Sequence, residues 1–95
     1  MNKIIIYGLG VLGKEILNFF EKLNYEIICV IDEFIQEITY NNHKIFRIKE
    51  VPNAFKNIPV YLTSNVPITN YIIENNLEGF ILNEILEDYQ QCNLN

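Results

Sequence analysis

The fold is decided by residues 3–17, which read KIIIYGLGVLGKEIL. The run Lys3–Tyr7 is rich in β-branched residues, which is typical of a strand buried on both faces. Glycines follow at positions 8, 10 and 13, and apolar residues then recur at helical spacing from Val11 to Leu23. The sequence therefore predicts a strand, a glycine turn and an amphipathic helix in direct succession.

Further strands are predicted on either side of a less regular middle segment. Asn24 can close the helix in the left-handed conformation, and Tyr25–Ile31 then predicts a second buried strand that ends at Asp32. A right-handed crossover makes the first two strands parallel neighbours. The segment Lys44–Ile48 alternates in polarity like a half-exposed edge strand, and Ile58–Thr63 predicts another buried strand.

The whole chain, residues 1–95, is predicted to form one α/β domain. Asn41 and Asn42 predict a tight turn, Pro67 suits the first turn of a helix, and Gly79–Leu82 predicts a last strand. Numbered in chain order, the five predicted strands give a doubly wound parallel sheet in the order 3-2-1-4-5. A sheet of this size is half-Rossmann-like.

The glycine turn has the spacing GxGxxG between a predicted strand and a predicted helix, the context in which this motif binds phosphate. Bare amides and the helix dipole attract an anion there, and Gly10 and Leu12 are expected to offer their amides to it. The alternative is a turn that only packs the helix on the strand. The residues expected at the site are Gly8, Leu9, Gly10, Val11, Leu12, Gly13, Asp32, Glu33, Thr63 and Ser64.

Asp32 supplies the second part of the expected site. It lies about 20 residues past the last glycine, where a carboxylate can accept hydrogen bonds from a ribose hydroxyl. No arginine neighbours Asp32 in the sequence, so a 2′-phosphate is expected to meet unneutralised negative charge. NAD is therefore expected in preference to NADP.

Residues 1 to about 62 resemble the Rossmann-like N-terminal domain of bacterial nucleotide-sugar acetyltransferases, the PglD-like domain. KIIIYGLGVLGKEIL at 3–17 and VIDE at 30–33 carry the resemblance. It implies a UDP-sugar held by the three glycines with Asp32 and Glu33, and a role beside enzymes of surface-polysaccharide assembly. The family's hexapeptide-repeat β-helix and its histidine near the turn have no counterpart here. We therefore expect no acetyl transfer by this chain alone.

Composition excludes several classes of protein. A formal net charge of -5 with scattered lysines and one arginine argues against nucleic-acid binding. The longest apolar runs are strand-length, short of the ~20 residues needed to span a bilayer, and no targeting signal is recognisable, so we expect a cytoplasmic protein. Cys29 and Cys92 lack metal-binding or disulfide spacing, and Cys29 is expected in the core.

Three other patterns carry less weight. Tyr40 and Lys44 match YxxxK, but the intervening Asn-Asn indicates a turn, so this dehydrogenase pair is set aside. His43 is expected on a surface turn without metal-binding partners. Thr63 and Ser64 are expected either to cap the helix that follows or to touch a ligand.

The sequence thus predicts a nucleotide or nucleotide-sugar binding module without catalysis of its own, with NAD or a UDP-sugar as the expected ligand. It leaves two alternatives open. One is a degenerate Rossmann module that acts in protein association or dimerisation, with a partner enzyme or its own copy. The other is an NAD-dependent enzyme completed by a partner chain.

Overall fold

A computed structural model of the chain describes residues 2–55 and 57–63. These residues form an α/β fold, as the sequence predicts. The elements are β1 (Lys3–Tyr7), α1 (Val11–Lys22), β2 (Glu26–Ile31), β3 (Thr39–Tyr40), β4 (His43–Phe46) and β5 (Val60–Leu62), with short 3-10 helices at Ile48–Glu50 and Asn53–Phe55.

The sheet formed by the described residues has the strand order β3-β4-β2-β1-β5. Strands β4, β2, β1 and β5 are parallel neighbours, and α1 makes the crossover between β1 and β2. Parallel strands end at a common edge, so the chain leaves Tyr7, Ile31, Phe46 and Leu62 on the same side of the sheet. The glycine turn follows the first of these strand ends.

The prediction of a purely parallel sheet is wrong, and so is the predicted strand order. Strand β3 pairs antiparallel with β4 and takes the edge position that we predicted for Lys44–Ile48. Asn41 and Asn42 both have positive φ, 49° and 67°, as a two-residue hairpin turn requires. The predicted turn is therefore confirmed, and it folds β3 back onto β4. The predicted strand Gly79–Leu82 lies outside the described residues.

The core lies on both faces of the sheet, with β1 buried in its centre. On one face β1 packs against the apolar side of α1, and on the other it packs against the chain around the first 3-10 helix. The first layer includes Ile4, Ile6, Ile16, Leu17 and Phe20; the second includes Ile5, Tyr7, Ile31, Ile48 and Val51. The predicted burial of β1 on both faces is confirmed.

The ends of α1 follow from local sequence. The helix ends at Lys22, one residue before the predicted end, and Asn24 follows in the left-handed conformation with φ 62°.

No helix within residues 2–55 and 57–63 is long and apolar enough to cross a membrane.

Gly13 allows the first turn of α1 to lie directly against the glycine turn. A Cβ atom at Gly13 would stand 2.1 Å from the carbonyl oxygen of Gly8, closer than any van der Waals contact allows. Gly8 itself has φ 101°, a conformation that favours glycine. A Cβ at Gly10, by contrast, would meet no atom of the described residues within 4 Å. Two glycines of the motif therefore serve packing and turn geometry, whereas no described residue restricts the space beside the middle one.

We predict that Gly13→Ala lowers the free energy of unfolding by more than about 2 kcal/mol, because the added methyl group forces α1 away from the turn. This loss exceeds the ~1 kcal/mol that alanine gains over glycine inside a helix. Chemical denaturation measures the change. Gly10→Ala is the matched control and should cost less than about 1 kcal/mol. Equal stability of Gly13→Ala and the unmodified chain would contradict the packing.

Candidate functional site

The glycine turn is tied to the end of β2 through its first two amides. The amide of Gly8 donates to the carbonyl oxygen of Ile31 at 2.8 Å. The amide of Leu9 donates to Oδ2 of Asp32, also at 2.8 Å, in a buried hydrogen bond. These bonds fix the direction in which the chain leaves β1, and hence the position at which α1 begins.

The N-terminus of α1 begins at a residue that supplies no capping side chain. Gly10 occupies the capping position with φ −80° and ψ −161°, no acidic residue lies in the first turn, and Lys14 makes the first helical bond, to the Gly10 carbonyl at 3.0 Å. In the described part of the chain, no side chain caps the amides of Val11, Leu12 and Gly13. Such amides carry the positive end of the helix dipole. Because no described atom lies within 4 Å of a Cβ placed at Gly10, this arrangement suits an anionic group.

Asp32 joins the glycine turn to the loop after β2. Besides the bond from Leu9, its Oδ1 accepts hydrogen bonds from the amides of Phe34 at 2.8 Å and Ile35 at 3.0 Å. The second pair is the local turn that aspartate commonly makes with residues two and three positions later. Only 9% of Asp32 is exposed. The Asp32 carboxylate, which was predicted to bind a ribose, is thus already bonded to three protein amides.

Arg47 lies beside Asp32, and this corrects the expectation that no arginine is near it. Its guanidinium donates to the carbonyl oxygens of Asp32 and Ile35. The proximity arises because β4 pairs in parallel with β2, so that the residue after β4 meets the residue after β2. The predicted strand order already makes these two strands neighbours. That order could have predicted Arg47 near Asp32, although the sequence composition shows only an isolated arginine.

Two further carboxylates at this corner of the sheet bind backbone amides. Oε1 of Glu33 accepts from the amide of Ile48 at 2.8 Å, and Oε1 of Glu50 accepts from the amide of Arg47 at 3.0 Å. Both bonds lie at the start of the first 3-10 helix. Glu33, expected at the site, thus contacts the 3-10 segment, and no hydrogen bond joins it to the glycine turn among the described residues.

Thr63 fastens the end of β5 to the turn. Its hydroxyl lies 3.0 Å from the carbonyl oxygen of Tyr7 and 2.9 Å from that of Gly8, and its amide donates to Tyr7. The observed contacts join two strand ends. The helix that Thr63 was expected to cap lies outside the described residues, and its contact with a ligand stays a prediction. Ser64, the other expected residue there, lies outside the described residues.

The patterns set aside in the sequence have simple structural explanations. Tyr40 and Lys44 lie on the two strands of the β3–β4 hairpin, so they do not form a helical acid–base pair. His43 is half-buried in β4, with Nε2 3.3 Å from Oε1 of Glu21, and so is not on the turn as expected. Cys29 is fully buried in the core, as predicted. This burial raises the pKa of its thiol to about 12.

The described residues thus form an α/β fold whose first strand leads through a glycine turn into a helix that none of their side chains caps. No family model, curated protein or solved structure matches the chain. No group of three or more histidine, cysteine, aspartate or glutamate side chains is placed to hold a metal ion within residues 2–55 and 57–63.

We predict that Arg47→Met lowers the free energy of unfolding by about 1–3 kcal/mol, because two partly buried carbonyl oxygens lose their donor. Urea denaturation measures this loss. Lys49→Met is the matched control, since it removes the same charge from an exposed side chain of the neighbouring 3-10 helix. A loss in Arg47→Met no larger than in the control would show that the guanidinium does not hold the loop.

Proposed function

We propose that this chain is a nucleotide or nucleotide-sugar binding module whose phosphates lie on the N-terminus of α1. The observation that carries the proposal is the uncapped first turn, where Gly10 offers neither a capping side chain nor a Cβ atom. Phosphate groups bind at helix N-termini because the amides and the dipole both favour negative charge. The amides of Val11 and Leu12 are the proposed donors, together with that of Gly10.

The topology supports the same position for a ligand. In an open parallel sheet, ligands bind beyond the carboxyl ends of the strands, near the point where the strand order reverses. Here β1 is flanked by β2 on one side and by β5 on the other, and the glycine turn lies at its carboxyl end. This arrangement favours the half-Rossmann-like interpretation and a ligand that crosses the end of β1.

NAD or a UDP-sugar is the proposed ligand. NADP stays disfavoured, although the reason is no longer the absence of an arginine near Asp32. Arg47 is present at the corner, but its guanidinium is bonded to two backbone carbonyls, and three carboxylates bind backbone amides at the same corner. These are Asp32, Glu33 and Glu50. A 2′-phosphate placed there would meet a net negative charge.

The resemblance to the PglD-like domain supports a nucleotide sugar and a cytoplasmic role beside enzymes of surface-polysaccharide or nucleotide-sugar metabolism. Binding without catalysis by this chain alone is part of the proposal. We do not assign the particular sugar, since the glycine turn recognises only the phosphates.

Protein association is a second candidate, favoured by large apolar side chains that are exposed on the surface. Phe34 is 91% exposed, Val11 81% and Ile38 75%. Such side chains are typical of interaction sites when they form a continuous patch. The proposed partner is either an enzyme or a second copy of the chain. Sedimentation at several protein concentrations tests whether the chain associates with its own copy.

We predict that Gly10→Asp raises the free energy of unfolding by about 1 kcal/mol, because an N-cap carboxylate binds the amides of the first turn and complements the dipole. The same carboxylate should abolish ligand binding, since it occupies the donors and repels phosphate. Thermal shift with NAD, NADP, ADP and UDP-glucose measures both effects, because a ligand that binds only the folded chain raises the melting temperature.

Asn2→Asp is the matched control for Gly10→Asp. It adds the same charge before β1, at the opposite end of the strand from the turn. It should leave ligand binding unchanged. Absence of any ligand-induced shift in the unmodified chain would contradict the proposed function, and so would a shift that survives in Gly10→Asp.

A further inference from the structure

We infer that Asp32 is a positioning residue, whose carboxylate holds the glycine turn in its phosphate-binding shape and does not contact the ligand's ribose. The inference rests on the proposed function, which it deepens. It replaces the usual expectation for an acidic residue at the end of the second strand, and it follows from the hydrogen bonds that this side chain makes.

The acceptor capacity of the carboxylate is largely used within the chain. A carboxylate oxygen has two lone pairs. Oδ1 of Asp32 receives the amides of Phe34 and Ile35, and Oδ2 receives that of Leu9. With only 9% of the residue exposed, the remaining lone pair of Oδ2 is poorly accessible. A ribose that needs two hydroxyl contacts would have to displace bonds that hold the turn.

The same bonds show what Asp32 positions. Leu9 immediately precedes Gly10, whose carbonyl accepts the first helical bond of α1. A carboxylate that fixes the Leu9 amide therefore fixes the peptide planes from which the bare amides project. The guanidinium of Arg47 donates to the carbonyls of Asp32 and Ile35. The loop after β2 is therefore held both by the Asp32 carboxylate and by Arg47.

Charge repulsion and a positioning role predict opposite changes in phosphate affinity when the charge of Asp32 is removed. A carboxylate close to a phosphate site repels the phosphate, so removing its charge should strengthen binding if charge were its only influence. A positioning role predicts the opposite result, because loss of the Leu9 bond frees the turn. The direction of the change in affinity separates the two.

Asp32→Asn is a selective variant for this test. The asparagine carbonyl oxygen can keep both bonds from Phe34 and Ile35, since asparagine forms the same local turn. Its amide nitrogen then faces the Leu9 amide, where a donor opposes a donor. Glu50→Gln is the matched control, because it removes the same charge, keeps an oxygen for the Arg47 amide and makes no bond to the glycine turn among the described residues.

Binding is measured by calorimetry with inorganic pyrophosphate, which has no ribose, and with ADP, which has one. We expect Asp32→Asn to weaken both by the same factor, about tenfold, and Glu50→Gln to weaken neither. Weaker ADP binding with unchanged pyrophosphate binding would identify Asp32 as a ribose ligand and overturn the inference. Unchanged or tighter binding of both probes by Asp32→Asn would overturn it too.

Amide hydrogen exchange tests the inference without a ligand. Leu9 should exchange at least about tenfold faster in Asp32→Asn than in the unmodified chain, while Phe34 keeps its protection. Unchanged exchange at Leu9 overturns the inference. Failure of the unmodified chain to bind either probe contradicts the proposed function, and the exchange result still decides whether Asp32 holds the turn.

A measurement on the unmodified chain covers the case in which Asp32→Asn does not fold. ADP and 2′,3′-dideoxy-ADP should bind with affinities within about threefold of each other if Asp32 does not contact the ribose. A loss of about tenfold or more with the dideoxy compound would mean that a protein group binds the hydroxyls, which contradicts the inference.

Discussion

The close approach of Gly13 to the carbonyl oxygen of Gly8 is the constraint on which the rest of the structure depends. Because no side chain separates them, α1 begins directly against the end of β1 and lays its apolar side over the sheet. The same approach leaves the first amides of the helix at the carboxyl edge of the sheet. A single steric fact therefore supports both the core and the candidate phosphate site.

The polar residues around the turn form a connected set of backbone braces. Asp32 binds amides of the glycine turn and of the loop after β2, Arg47 binds carbonyls of that loop, and Thr63 ties the end of β5 to Gly8. Within the described part of the chain, these side chains satisfy backbone groups that strands and loops leave unpaired. The amides at the start of α1 are the contrasting feature, because no side chain among the described residues caps them. That contrast is the basis of the proposed function.

The sequence predicted well the features that are local. β1, the glycine turn, α1 and the Asn41–Asn42 turn each depend on residues within one element or its cap. It failed on β3, because a strand of two residues has no periodicity to detect. It also failed on Arg47, which lies 15 residues from Asp32 along the chain. That proximity depends on strand pairing, which must be combined with side-chain reach before it can be predicted.

The central claim is that the backbone amides of Gly10, Val11 and Leu12 donate hydrogen bonds to an anionic group. Titration of the ¹⁵N-labelled chain with pyrophosphate, followed through its amide resonances, tests this most directly. The account predicts saturable shifts that are largest at these three amides and small at the opposite end of β1. Resonances of the turn that do not move at saturating pyrophosphate, or shifts confined to other parts of the chain, would contradict it.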